Sequence, residues 1–163
     1  MSPMNFSIRE IKSDDAQWIK SILTEYWGSE LSITKGNKLY CDKLRGFIAE
    51  TVNEKAGLIT YNITHDECEI VTLNSLVEKE GVGTSLIERV KQTARENNCK
   101  RIWLITTNDN TPALRFYQKR EFTIKAIYPN AMEEYRKLKP EIPLLGEDEI
   151  PIRDEIELEL LLH

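Results

Sequence analysis

The chain has 163 residues, with 22 Lys plus Arg against 27 Asp plus Glu and a net charge of −5. Its 40% hydrophobic and 30% charged residues are ordinary globular values, which excludes disordered, collagen-like, low-complexity and disulfide-scaffold classes. A basic nucleic-acid coat is excluded too, and at this length one domain spanning 1–163 is expected. The charge is uneven, because residues 130–163 hold 4 basic and 10 acidic side chains.

Asn5 to Lys12 alternates in part (Phe6, Ile8, Ile11) and predicts a first strand. Ser13, Asp14 and Asp15 read as a helix start, with a hydroxyl cap and acids at the positive end of the dipole. Ile19, Ile22, Leu23 and Tyr26 recur at helical spacing beside Trp27, and Gly28 ends that helix. The stretch from Ser29 to Arg45 is mixed and reads as helix or loop. From Gly46 the period changes. Gly46–Val52, Gly57–Thr64 and Cys68–Leu76 are β-branched apolar runs at hairpin spacing, which predicts three successive antiparallel strands.

Val82, Leu86, Val90 and Ala94 mark a helix ending near Asn97-Asn98. Arg101–Thr107 is a continuous apolar strand, expected to be buried on both faces. The intervening helix makes it parallel to the strand before. Thr111-Pro112 supplies a cap and an early helical proline, with Ala113, Phe116 and Tyr117 on one face. Phe122–Tyr128 and Glu155–Leu162 are two further strands, separated by a short helix over Met132–Lys139 and a proline-rich loop.

Cys41, Cys68 and Cys99 are odd in number and form no C-x-x-C pair, which predicts reduced thiols. The first residues carry no secretion signal and no run approaches membrane-spanning length, so a soluble, cytoplasmic protein with no membrane partner is expected.

Two stretches carry chemistry. Glu78-Lys79-Glu80-Gly81-Val82-Gly83-Thr84 lies at a strand-to-helix turn, where alternate glycines let backbone N–H groups converge on an anion at a helix N-terminus. It is neither a P-loop nor a dinucleotide fingerprint. The second is Asn110-Thr111-Pro112-Ala113-Leu114-Arg115-Phe116-Tyr117, running on to Phe122, where a buried strand opens through a polar loop into a short helix.

Together these resemble the GNAT superfamily of acetyl-CoA-dependent N-acetyltransferases in its bacterial single-domain form. Glu78-x-x-Gly81-x-Gly83 stands for the family's Gln/Arg-x-x-Gly-x-Gly/Ala. The second stretch stands for Asn-x-x-Ala-x-x-Phe-Tyr-x-x-x-Gly-Phe, with Glu121 in place of the last glycine. The resemblance implies an α+β fold, a mixed, mostly antiparallel sheet of six or seven strands with helices on both faces. It implies acetyl-CoA entering where the Cys68–Leu76 and Arg101–Thr107 strands splay apart. The pantetheine arm would pair near Leu73 and Ser75, with Asn110 and Ala113 on the opposite side. The pyrophosphate would rest on Lys79, Glu80, Gly81, Val82, Gly83 and Thr84, and Tyr117 occupies the family's general-acid position.

Transfer to a primary amine needs a base, because the acceptor arrives protonated. Glu69 and Glu67 are the candidates. Glu69 lies within its strand and Glu67 at the turn, and they share parity with Val71 and Leu73, so their side chains are expected on one face. A water chain would make either dispensable. Trp27 and Tyr40 are candidates for the acceptor pocket, with core packing as the alternative. His65-Asp66-Glu67-Cys68-Glu69 looks ligand-rich but lacks a second ligand cluster, so a hairpin turn is expected and no metal. Cys68 reads as a buried apolar thiol.

The implied partners are acetyl-CoA and an amine acceptor, with no nucleic acid. The amine would be cationic if Glu133, Glu134 and Glu147-Asp148-Glu149 attract it. A homodimer is compatible with the sequence. Two other readings stand beside this one: a non-catalytic acyl-CoA-binding sensor, which would have no need of Tyr117, and a protein N-acetyltransferase acting on lysine or an N-terminus.

Overall fold

The computed structural model describes residues 5–29, 31–76 and 81–163. A seven-stranded sheet forms from β1 (Ser7–Glu10), β4 (Arg45–Glu50), β5 (Lys55–Thr64), β6 (Glu67–Ser75), β7 (Arg101–Thr107), β8 (Thr123–Tyr128) and β9 (Glu155–Leu161). Its order is β1-β4-β5-β6-β7-β9-β8. Every neighbouring pair is antiparallel except β6–β7, which is parallel as the intervening helix requires. The helices are α1 (Ala16–Trp27), α2 (Val82–Glu96), α3 (Thr111–Lys119) and α4 (Ala131–Leu138). The mixed, mostly antiparallel α+β architecture is the expected one.

One face of the sheet packs against α2 and α3. Phe47, Ile59, Ile70, Ile102, Leu104 and Leu158 meet Val82, Leu86, Val90 and Ala94 there. The other face takes α1 through Ile19, Ile22 and Leu23 against Ile48 and Leu58. The spacing of α1 and α2 was read correctly because burial on one helical face leaves a periodic apolar stripe. Gly28 closes α1 in the left-handed region at φ +84, its N–H donating to Thr24 O at 3.1 Å.

Four expectations need correction. Ser29–Arg45 is neither helix nor plain loop: it holds a separate two-stranded hairpin, β2 (Leu31–Thr34) with β3 (Asn37–Tyr40), followed by a short 3-10 turn. Lys35 and Gly36 turn it with positive φ at both positions, 49 and 81, the pattern that matches strand twist in two-residue hairpins. Ser13 makes no capping bond; instead the Asp15 carboxylate accepts from the Lys12 N–H at 2.7 Å and pairs with Arg9 at 2.8 Å. Asn110, not Thr111, caps α3, its Oδ1 accepting from the Ala113 N–H at 3.3 Å.

Strand β7 is fully buried only on the α2 face, through Ile102 and Leu104. Its other face, with Trp103, Ile105 and Thr107, borders cavities.

Candidate active site

The site begins where two parallel strands stop pairing. β6 and β7 are in register only from Glu67–Arg101 to Ile70–Leu104. Beyond that point β7 pairs only with β9 and β6 only with β5. A bulge coincides with the parting: Thr60 pairs with Thr72 and Tyr61 with Ile70, so Val71 is an extra residue on β6 outside the register. The bulge reverses the parity of the strand. Cys68, Ile70 and Leu73 all belong to the α2 face, while Val71 packs on the α1 face. Leu73 therefore does not share a face with Glu67 and Glu69, contrary to simple alternation.

On the α1 side of the parting lies a cavity of about 490 Å³. Its walls come from the end of α1 (Trp27), the β2 strand, β6 (Glu69, Val71), β7 (Ile105, Thr107), Asn110, α4 (Met132, Tyr135) and Glu155 of β9. Trp27 is held there by its indole N–H, which donates to Asn74 Oδ1 at 3.0 Å. Tyr40 is exposed and lines neither this cavity nor the core.

Glu69 is the chemical centre of this wall. Its side chain is buried and borders both this cavity and a second one on the far side of the β2–β3 hairpin. Burial is the largest influence and pushes its carboxyl up to about 7, with the nearby charges of Glu155 and Glu157 adding to it. The Thr34 hydroxyl and Lys35 pull the other way. Glu67 is differently placed. It pairs with Arg101 at 2.9 Å, is partly exposed and faces the second cavity alone. Arg101 also binds Glu157 at 2.8 Å and Glu159 at 3.0 Å.

On the opposite face, α2 begins at Gly81, whose φ of +73 favours glycine. The amides of Val82, Gly83 and Thr84 precede the first helical bond, from Ser85 N–H to Gly81 O at 3.0 Å. Lys79 and Glu80 lie outside the described residues, as does Glu78. Gly83 has a packing reason as well, since a Cβ there would come within 3.2 Å of the Phe116 ring.

Beside this helix end stands Arg120, which sequence reasoning passed over. Its Nε donates to Thr84 Oγ1 at 2.9 Å, and its guanidinium stacks 3.6 Å from the Phe116 ring centroid. With Arg115 and Lys119 it lines an open cavity along α3. The available signal is three basic residues within six positions, Arg115, Lys119 and Arg120, flanking the Phe116-Tyr117 pair.

Tyr117 does not line the cavity beside Glu69. It packs edge-on between Phe116 and Phe122 in the α2-face core, 8% exposed, and burial pushes its phenol well above the usual range while Arg120 opposes. It is therefore a protonated group at neutral pH. Leu73 and Ser75 lie on β6 past the parting, paired to β5 at Ile59 and Gly57. Ala113 packs against the α2-face core.

Cys41, Cys68 and Cys99 are buried thiols outside any disulfide. Burial pushes the Cys68 thiol up to about 12, so it is no nucleophile at neutral pH. His65 and Asp66 form the β5–β6 turn, with His65 at φ 57. Among the described residues no cluster of His, Cys, Asp and Glu could hold a metal ion, and no helix is long and apolar enough to cross a membrane.

The chain is 45% identical to the YxbD protein of Bacillus subtilis (strain 168), over 85% of this chain and 87% of that one. It is 48% identical to YdhI of the same organism, over 84% and 89%. The fold matches an IAA acetyltransferase from Bacillus cereus ATCC 14579 with a TM-score of 0.77 at 22% identity, covering 97% of this chain and 100% of that one. It also matches a GNAT family acetyltransferase from Elizabethkingia anophelis with acetyl-CoA bound, with a TM-score of 0.70 at 20% identity over 97% and 99%. Residues 9–122 match the Acetyltransferase (GNAT) family, and this chain belongs to that family.

Proposed function

We propose that the chain is a one-domain N-acetyltransferase that moves an acetyl group from acetyl-CoA to a primary amine by direct attack. The observation that carries this reading is Glu69: a buried carboxyl pushed up to about 7, on a cavity wall, where β6 and β7 part. A base near neutrality is what an ammonium acceptor requires.

The residues present suit acetyl-CoA. The β7-facing edge of β6 at Val71–Leu73 has no strand neighbour beyond the parting, the other edge being paired to β5, so its backbone can pair with a pantetheine arm. The Gly81–Thr84 amides and Arg120, with Arg115 and Lys119 nearby, offer cation and donor groups to its phosphates. Asn110 lines the cavity but its side-chain oxygen is already engaged in capping α3. When bound, acetyl-CoA supplies a thioester whose carbonyl carbon is the electrophile.

Glu69 takes a proton from the acceptor's ammonium, leaving a lone pair that forms the new C–N bond. The N–H of Val71, the extra residue at the bulge, would meet the negative charge that develops on the carbonyl oxygen. As the C–S bond breaks, Tyr117 gives the departing thiolate a proton, and the second proton that the nitrogen sheds as it becomes an amide restores the phenol. Glu67 is paired with Arg101 and is left out of the chemistry. Glu69 then returns its proton to solvent through the second cavity, whose wall it shares.

A thiol-release assay with acetyl-CoA and a panel of primary amines tests this. Acetyl-CoA-dependent release with at least one amine, abolished in Glu69→Gln, is the expected result. Tight acetyl-CoA binding with no amine turned over would favour the non-catalytic sensor instead.

A further inference from the structure

Among the described residues, buried side-chain oxygens without a hydrogen-bond partner occur at Asp42 and Glu155, and only Glu155 has both oxygens in that state. Glu155 is fully buried and forms part of the wall of the cavity beside Trp27, together with Thr34, Glu69 and Tyr135. Burial pushes the Glu155 carboxyl up, with the Tyr135 hydroxyl and the Lys35 N–H and charge opposing, and neither of its oxygens has a partner in good hydrogen-bond geometry. Tyr135 itself accepts from the Gly36 N–H at 3.1 Å.

The contrast with Glu157, two residues along the same face of β9, is informative. Glu157 is also buried, but it has Lys35 at 2.8 Å, Arg101 at 2.8 Å and the Tyr128 hydroxyl, which donates to it at 2.7 Å. A buried carboxylate is tolerated when it is paired and hydrogen-bonded, and is costly when it is not. Lys35 and Arg101 both form close ion pairs with Glu157, and neither does so with Glu155, which feels Lys35 only at longer range.

The cavity wall offers Glu155 no substitute. Its acids are Glu69, Asp109, Glu141, Glu147 and Glu155, and its single basic residue is Lys139. The Lys139 ammonium is turned away, donating to Leu31 O at 2.6 Å. A positive nitrogen entering the cavity would give this carboxyl the close counter-charge that the wall does not.

We propose that Glu155 binds a second positive nitrogen of the acceptor, so that the substrate is a diamine or longer polycationic amine with one nitrogen at Glu69 and the next at Glu155. This rests on the acetyltransferase reading above. The exposed acids Glu133 and Glu134 lie outside the cavity wall, and Glu134 is paired with Lys137 at 3.2 Å. They contribute no contact.

The test compares 1,4-diaminobutane and 1,6-diaminohexane with n-butylamine and n-hexylamine, by thiol release and by calorimetric binding to the CoA-loaded protein. Wild type should favour the diamine in kcat/KM by about 10–100-fold, the range of a charged hydrogen-bonded contact. In Glu155→Gln the ratio should fall to within about threefold, while Glu133→Gln should keep it. The thermal shift on adding acetyl-CoA checks that each variant is folded. Equal turnover of diamines and monoamines by wild type would overturn the Glu155 assignment and leave amine acetylation standing. If no amine is turned over, acetylation fails and calorimetry alone judges Glu155. Diamine binding lost in Glu155→Gln upholds the assignment, and binding equal in both proteins overturns it.

Discussion

Replacing Glu69 by Gln should make the protein more stable and less active at the same pH. The folded carboxyl is held near 7, against an ordinary value of 4.5, mainly by burial. Between those values the folded state binds a proton that the unfolded state releases. Stability therefore falls as pH rises from about 4.5 to about 7 and is flat above. The shift corresponds to about 3 kcal/mol at 1.36 kcal/mol per unit, and Glu69 is buried enough that solvent screening does not erase it. Gln carries no charge, so Glu69→Gln should match wild type near pH 4.5 and exceed it by roughly 2–3 kcal/mol at pH 8. For a chain of this size that is roughly 4–12 °C in Tm. Denaturation of both proteins across pH 4.5–8.5 gives the difference directly. In parallel, kcat/KM of wild type should rise with pH through about 7, whereas Glu69→Gln should lose that limb and about 10²–10⁴-fold in rate. A stability difference that does not change with pH, or an activity limb that survives in the variant, would refute the assignment of Glu69 as base.

Tyr117→Phe keeps the edge-on packing with Phe116 and Phe122, so it should fold normally, lose about 10²-fold or more in kcat and leave the KM for acetyl-CoA within about threefold; an unchanged kcat would make Tyr117 a packing residue only. Arg120→Ala removes the cation beside Thr84 and should raise the KM for acetyl-CoA by about tenfold or more, with wild-type affinity weakening as salt increases; a salt-independent KM in wild type would count against a phosphate contact. Glu121 sits in the left-handed region at φ 72, where a side chain costs ~1–2 kcal/mol. Glu121→Gly should therefore gain about 1 kcal/mol in denaturation and leave kcat unchanged, and a loss of stability would show that the Glu121 side chain makes a compensating contact.

The parts of the fold that could be read from sequence are those where burial imposes a period. Arg101–Thr107 was bounded correctly because a continuous apolar run flanked by polar residues admits one reading. The β2–β3 hairpin was missed because its four-residue strands are half-buried and carry no clean alternation, although Lys35-Gly36 between Ile33 and Leu39 was a usable turn signal. The bulge at Val71 has no sequence mark, since it depends on how Thr60 and Tyr61 pair across the sheet. Glu69 could be proposed from its place in a strand, but separating it from Glu67 required knowing that Arg101 claims the latter. For the acidic tail, counting charge points to Glu133, Glu134 and Glu147-Asp148-Glu149, of which only Glu147 lines the cavity. The alternation of Glu155, Glu157 and Glu159 with Ile156, Leu158 and Leu160 was the better guide, because it puts three carboxyls on one face of a central strand.

The hairpin has a consequence for how this protein could change. It is a sheet of its own, fastened over the buried acids by Lys35 to Glu157, Gly36 to Tyr135 and Lys139 to Leu31. The helix ends and basic residues proposed for the acetyl donor lie across the sheet from it. The hairpin thus covers the cavity beside Glu69, which it walls through Ser32, Ile33 and Thr34, from the face opposite α2 and α3. On the proposed function, exchanging that hairpin would alter which acceptors enter while leaving the donor side intact, so the two specificities could be varied one at a time.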